Sequence, residues 1–181
     1  MDRWFPITTA RLCLREFRAT DEADIHAYAS DPEVVRYASW GPNTPEETRA
    51  VLDTWLAEQR RWPRSSVTLA IELVEEQRLV GGIRLEERDA VHRAADFGYT
   101  LDRAYWNRGI ATEAARGLLD TAFRTLGYHR VWATCDTRNH ASRRVLEKLG
   151  LRREGELRQD TIRRGAWTDT YLYAILKDEW R

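Results

Sequence analysis

Trp106-Asn107-Arg108-Gly109-Ile110-Ala111-Thr112 runs directly into a periodic helical pattern, and this junction decides how the chain is read. Beyond it Ala111, Ala115, Leu118, Leu119, Ala122, Phe123 and Leu126 fall at i, i+4, i+7, i+8, i+11, i+12 and i+15, the spacing of one apolar helix face. Gly127 suits the residue just past the helix end. A glycine-containing turn that opens a helix leaves several backbone N–H groups unpaired, and the helix dipole adds partial positive charge there. The junction therefore has the makings of an anion site. Gly109 has no Cβ and lets the backbone approach a phosphate closely. Ala111 keeps the next turn narrow, and Arg108 adds a cation. A plain strand-to-helix connection is the competing reading. Neither the Walker spacing nor the dinucleotide G-x-G-x-x-G is present.

A second junction lies about thirty residues on. The β-rich run Arg130-Val131-Trp132-Ala133-Thr134-Cys135 precedes Asn139-His140-Ala141-Ser142, which opens another helix. Asn139 suits the N-cap and Gly150 the C′ position. A structural account is complete on those terms, with Ser142 in the first turn.

Around these junctions the pattern is mixed α/β. Residues 11–16 alternate as a half-buried strand. A helix is expected from Thr20 through Tyr28, a short helical turn from Asp31 to near Tyr37, and a loop over 39–43. Thr44, Pro45 and Glu47 make a capped helix start, and Pro63 is read as its end. Strands are expected over 67–74, 79–85 and 95–101, with turns at Glu75-Glu76 and from Glu86 to Val91. Further strands are expected over 130–135, 151–157 and 167–176, the last two joined by Arg163-Arg164-Gly165.

The bulk properties set limits. One domain is the default for 181 residues, and 43% hydrophobic residues can fill a core. Lys plus Arg and Asp plus Glu total 29 each, which argues against a broad basic surface for nucleic acid. No run of eighteen apolar residues suggests a membrane span, and the stretch from Met1 to Pro6 has no apolar signal core. Cys13 and Cys135 fall in expected strands and read as free thiols. With four scattered histidines they suggest no metal site, and a reducing, cytoplasmic setting fits. Eight tryptophans is a high number, and Trp40 beside Gly41-Pro42 sits where a cleft wall would.

The ordered set Asp96-Phe97-Gly98-Tyr99, Tyr105-Trp106-Asn107-Arg108-Gly109-Ile110-Ala111-Thr112-Glu113-Ala114, Asn139-His140-Ala141-Ser142 and Val145-Leu146-Glu147-Lys148-Leu149-Gly150 resembles the GNAT superfamily of acetyl-CoA-dependent N-acetyltransferases. Within it the chain looks most like the Rim-type branch, which includes ribosomal-protein N-terminal acetyltransferases. The resemblance implies one domain over 8–177. Its sheet would be central, mixed, mostly antiparallel and twisted, with splayed strands flanked by helices. It also implies acetyl-CoA as co-substrate and an amine acceptor, a protein N-terminus foremost. A polyamine, amino sugar or antibiotic acceptor remains open, as do a CoA-binding domain without catalysis and a second copy of the chain as partner.

Acetyl transfer asks that the pyrophosphate be held, the thioester carbonyl polarised, the amine deprotonated and the leaving thiolate stabilised. The anion argument gives the first task to the backbone of Asn107, Arg108, Gly109, Ile110, Ala111 and Thr112. The resemblance implies that Tyr99, Thr100 and Leu101 pair with the pantetheine arm and that Asn139 contacts it. The family's usual thiolate acid, a Tyr seven residues after the Asn, is replaced here by Leu146. Rim-type members place a Ser where Ser142 stands, and a hydroxyl can donate to sulfur without ionising. For the base, some Rim-type enzymes carry a Glu where Thr161 stands, beside Asp160. The other candidate is Asp96, which matches a frequent Glu at the start of its strand and is expected to face the cleft. Glu86 and Glu87 read as solvated hairpin residues. A base is dispensable for an α-amine, whose deprotonation at pH 7 costs about 1.4 kcal/mol against about 4.6 for a lysine.

Overall fold

A computed structural model describes residues 4–61 and 63–181. Residues 1–3, at the head of the stretch read for a signal core, and Trp62, one of the eight tryptophans, lie outside the described residues. Among the described residues one sheet is built from Ile7–Thr8 (β1), Leu12–Arg15 (β2), Ser66–Leu73 (β3), Arg78–Asp89 (β4), Ala94–Leu101 (β5), Arg130–Asp136 (β6), Arg152–Arg163 (β7) and Ala166–Leu176 (β8). Their spatial order is β1-β2-β3-β4-β5-β6-β8-β7. All neighbours are antiparallel except β5 and β6.

That parallel pair positions everything that follows. Ala94, Ala95 and Asp96 pair with Arg130, Val131 and Trp132, and there the pairing stops. β5 continues to Leu101 along β4, while β6 continues to Asp136 along β8. Between 97–101 and 133–136 the sheet is split. A strand with one edge unpaired offers backbone N–H and C=O groups to whatever enters the gap.

Helices cover both faces of the sheet. Glu22–Ala29 (α1) and Pro45–Glu58 (α2) bury Ile25, Tyr28 and Leu52 against Phe17, Ala70 and Leu79. Ile110–Asp120 (α3) and His140–Lys148 (α4) cover the opposite face, where Leu69, Ile71, Ile83 and Phe97 point. The period-2 alternation of β3 accounts for this division: Leu69 and Ile71 face α3, and Ala70 faces α1. The stripe read from the sequence is buried at Ala115, Leu118, Leu119, Ala122 and Phe123. Each large side chain among them stabilises the fold by about 1.5–3 kcal/mol. Ala111 is partly buried against the same core and also lines the cleft, with Ile110 and Ala114 fully buried beside it. A π-helical turn, Thr121–Thr125, extends α3, with Leu126 N–H on the Thr121 carbonyl at 3.0 Å. No helix among the described residues is long and apolar enough to cross a membrane.

Several expected boundaries move. α2 is capped by Thr44 and Glu47 as expected, but it stops at Glu58 rather than at Pro63. Its last turn tightens into i→i+3 bonds, Arg60 N–H to Ala57 and Arg61 N–H to Glu58. The expected helical turn is present, with Val35 N–H on the Asp31 carbonyl at 3.2 Å, but residues 32–37 continue as successive turns and do not grow into a helix. The Asp31 carboxylate takes the Glu33 N–H at 2.9 Å, an Asx turn that competes with helical bonding. Glu86 and Glu87 lie in β4, not in a turn, because their backbone pairs with Asp96 and Ala95. β7 runs on to Arg163, past an irregularity between Leu157 and Thr161. Cys13 and Cys135 are free thiols in β2 and β6.

Candidate active site

The turn before α3 is shaped by its backbone. Gly109 is the N-cap at φ +77°, and Asn107 also lies in the left-handed region at φ +58°. The helical bonding of this turn begins with Glu113 N–H on the Gly109 carbonyl at 3.0 Å. The N–H groups of Ile110, Ala111 and Thr112 therefore precede any intrahelical acceptor. A Cβ at Gly109 would meet nothing nearer than Arg11 Nη2 at 3.6 Å, so glycine is required for its φ and not for want of room.

A brace holds the turn in this shape. Glu113 accepts from Thr9 Oγ1 at 2.7 Å, from the Arg11 N–H at 2.9 Å and from Arg11 Nε at 2.7 Å. Arg11 Nη1 also donates to the Arg108 carbonyl at 3.1 Å. Burial works against the charge of Glu113, but the bonds from Thr9 and Arg11 outweigh it and hold the carboxyl below the usual range. The brace spans about a hundred residues of sequence and has no local signal. The Arg108 side chain departs from the cation role expected of it. It lies over the Tyr105 ring at 5.0 Å, 3.9 Å from Glu76, and is not part of the cleft wall. Two nearby acceptors of opposite and π character draw the guanidinium away, leaving the turn's backbone as its contribution.

The turn, the split sheet and α4 surround one cleft of about 1000 Å³. Its wall includes Tyr99, Thr100 and Leu101, the stretch Gly109–Thr112 with Asn107, and Asn139 with Ser142. Sequence positions from 99 to 142 are thus brought to one place. The Leu101 carbonyl already accepts the Trp106 indole N–H at 2.8 Å, which fixes the strand end against the turn. Tyr28, Tyr37 and Trp40 line the other end.

Across the split, α4 presents its first turn. The Asn139 side chain accepts the Ser142 N–H at 3.0 Å, the N-cap bond anticipated for it. Tyr99 Oη donates to Ser142 Oγ at 3.4 Å, the long end of a hydrogen bond. Burial pushes the Tyr99 phenol up to about 12, with the Ser142 bond acting the other way, so it keeps its proton at neutral pH. Leu146, which stands where the family has a Tyr, is 1% exposed and part of the core. Cys135 lines the cleft too, but burial and then Asp136 push its thiol up to about 11, which keeps it a poor nucleophile.

Neither expected base reaches the cleft. Asp96 is 6% exposed and sits where β5 and β6 are still paired, before the split. Arg84 Nη2 donates to it at 2.7 Å and Arg88 Nε donates to its other oxygen. The strand alternation that sends Phe97 and Tyr99 toward α3 sends Asp96 the other way, into two guanidinium groups. Asp160 is exposed, in the irregular part of β7, and accepts from Thr170 Oγ1 at 2.6 Å and from Thr161 Oγ1 at 3.2 Å. It closes the bulge and is not part of the cleft wall.

Two carboxylates do line the cleft, neither anticipated from sequence. Asp136, at the end of β6, is 2% exposed. The Arg138 bonds, partly offset by burial, hold its carboxyl below the usual range: backbone N–H at 3.0 Å and Nε at 2.9 Å to one oxygen, Nη2 at 2.8 Å to the other. Glu33 lies at the surface, 3.6 Å from Arg36. The Asp-x-Arg spacing of 136 and 138 is common in turns and marks no site by itself.

A split sheet beside a helix start with unmet N–H groups leaves backbone donors and acceptors open to a ligand in the gap. Comparison with known proteins identifies the family. The model of the acetyltransferase (GNAT) domain matches residues 11–152. YnaD of Bacillus subtilis (strain 168), an uncharacterized N-acetyltransferase, is 33% identical over 96% of this chain and 98% of its own. A GNAT-family acetyltransferase crystal structure from Bacillus anthracis superposes with a TM-score of 0.85 at 34% identity, covering 96% of this chain and 99% of that one. YdaF of B. subtilis (strain 168), provisionally named a ribosomal N-acetyltransferase, is 31% identical over 75% of this chain and 74% of its own. The chain belongs to the GNAT acetyltransferase family. It is an acetyl-CoA-dependent N-acetyltransferase.

Proposed function

We propose that the acceptor is an α-amine, that of a protein N-terminus as in the Rim-type branch, and that it is acetylated without a side-chain base. One observation carries this reading: among the described residues, no carboxylate lining the cleft stands free. Asp136 is occupied by Arg138, and Glu33 is exposed beside Arg36. A polyamine or lysine ammonium would enter without a counter-charge and would lose its proton unaided at a cost of about 4.6 kcal/mol. An α-amine costs about 1.4 kcal/mol, within reach of water. YdaF, provisionally named a ribosomal N-acetyltransferase, lends support to a protein acceptor.

The Gly109–Thr112 backbone receives the coenzyme pyrophosphate, and the free edge of β5 at 99–101 takes the pantetheine arm. The Ser142 hydroxyl, its oxygen already accepting from Tyr99, directs its own hydrogen at the departing sulfur. A protein N-terminal peptide, Nα-acetyl-lysine and spermidine, each assayed for acetyl-CoA-dependent release of free CoA, test the reading. Turnover of the peptide above the other two is expected. Spermidine as the preferred acceptor would refute it, and that second reading has a relative behind it: the spermidine N(1)-acetyltransferase of Escherichia coli (strain K12) is 25% identical over 92% of this chain.

A further inference from the structure

Arg163 is the cleft residue that nothing above explains. It ends β7, at the hairpin that closes the acceptor end of the cleft, and its side chain is 12% exposed. Its Nη1 donates to Thr168 Oγ1. Its Nε is buried and has no hydrogen-bond partner among the described residues. A guanidinium so enclosed usually has every donor satisfied, because an unmet donor removed from water costs stability.

Asp136 pairs with Arg163 only in part. Both of its oxygens are taken by Arg138, and Arg163 Nη1 stands off at 3.6 Å. The three side chains therefore carry one positive charge more than the single carboxylate neutralises. Arg36, on the facing loop, is offset by Glu33 and leaves that balance unchanged. The position of Arg163 is fixed as well. Its neighbour Arg164 reaches across and donates Nη2 to the Val35 carbonyl at 3.2 Å, tying the hairpin to the loop of the other wall. Asp136, which Arg163 Nη1 approaches at 3.6 Å, also connects to the first turn of α4. Asp136 accepts the Asn139 N–H at 2.8 Å through its carbonyl, and Asn139 holds Ser142.

We propose that Arg163 receives a carboxylate of the acceptor, so that the acceptor is an amine with a carboxylate close by. This rests on the α-amine reading and narrows it. Arginine presents a planar fork that pairs with a carboxylate through two parallel bonds, and a buried fork gains more from such a partner than an exposed one. The carboxylate has two sources of the same chemistry: the α-carboxyl of a free amino acid, or an acidic side chain near the start of a peptide.

Matched acceptors test it. One arm compares a free amino acid with its amide. The other compares a C-terminally amidated peptide carrying Asp or Glu at its second position with the same peptide carrying Ala. CoA release is followed with each. In at least one arm the carboxylate-bearing member should have a kcat/KM ten or more times higher than its neutral match, and the arm that shows it identifies the source. Arg163→Gln should bring that ratio to about one, and Arg163→Lys should fall between. The wild-type ratios stand whether or not the variants fold. Ratios near one in both arms would overturn the carboxylate proposal and leave the α-amine reading intact. Turnover of spermidine or Nα-acetyl-lysine with neither arm used would overturn both.

Discussion

Tyr99 Oη lies 3.4 Å from Ser142 Oγ, joining the strand where the sheet splits to the first turn of the helix across the gap. Because burial keeps the phenol protonated, Tyr99 is the donor and Ser142 the acceptor. The serine hydroxyl hydrogen is then free to point into the cleft. Such a chain polarises in one direction, each bond strengthening the next. It offers an alternative to the tyrosine that Leu146 replaces.

Ser142→Ala should lower kcat for a confirmed acceptor by tenfold or more with a smaller change in KM for acetyl-CoA. Tyr99→Phe should lower kcat less, because the serine hydroxyl remains. The Tyr99 effect should stay constant from pH 6 to 10, since the phenol titrates near 12. A drop in melting temperature with kcat near wild type in both variants would assign the pair to packing instead.

Coenzyme affinity should depend on the backbone at Gly109. An L-residue at φ +77° is strained by about 1–2 kcal/mol, so Gly109→Ala should either distort the turn or destabilise the fold by that amount. Gly109→Val, bulkier and β-branched, should weaken acetyl-CoA binding at least tenfold. Isothermal titration calorimetry on folded variants reads this directly, and unchanged affinity for both would remove the turn from the coenzyme site.

Asp96→Asn should act on stability and not on the proton balance of catalysis. It leaves Arg84 and Arg88 without the carboxylate they share, which should cost about 1–3 kcal/mol in denaturant unfolding. The acid limb of kcat/KM should keep its midpoint, because it belongs to the acceptor amine. A limb that shifts in Asp96→Asn would restore Asp96 as the base.

The Glu113 brace should make stability fall in acid. Its carboxyl is held below the usual value in the folded chain, so the stabilisation is fully present above the ordinary carboxyl pKa of about 4.3. It is lost as pH drops through the lowered folded value. Glu113→Gln should therefore melt earlier than wild type at pH 7, with the two curves converging below about pH 4. A gap that persists in acid would mean the brace works through shape and not through charge.

What could be read from the sequence, and what could not, follows from the range of the interactions. The α3 stripe, the Thr44 and Asn139 caps and the Gly109 turn are local, and local periodicity and turn chemistry show them. Tyr99, Asn139 and Ser142 were reached through a resemblance in motif order, and the fold brings them to one cleft. Asp96 went astray because it sits one pair too early, where β5 and β6 are still joined, and because Arg84 and Arg88, neither adjacent in sequence, take its carboxylate. The extension of β4 through Glu86 and Glu87 was hidden because backbone pairing leaves no mark on charged, half-exposed residues. The Arg11–Glu113 brace and the Arg163–Asp136–Arg138 group join distant segments, and no spacing rule reports them.

The central claim is transfer of acetyl from acetyl-CoA to an α-amine in this cleft. The most direct measurement is mass spectrometry of a peptide carrying both a free N-terminus and an internal lysine, after incubation with the protein and acetyl-CoA. One acetyl group, localised by fragmentation to the N-terminal nitrogen and absent from the reaction with Ser142→Ala at matched times, is the expected result. An acetyl group on the lysine with the N-terminus free would contradict the account.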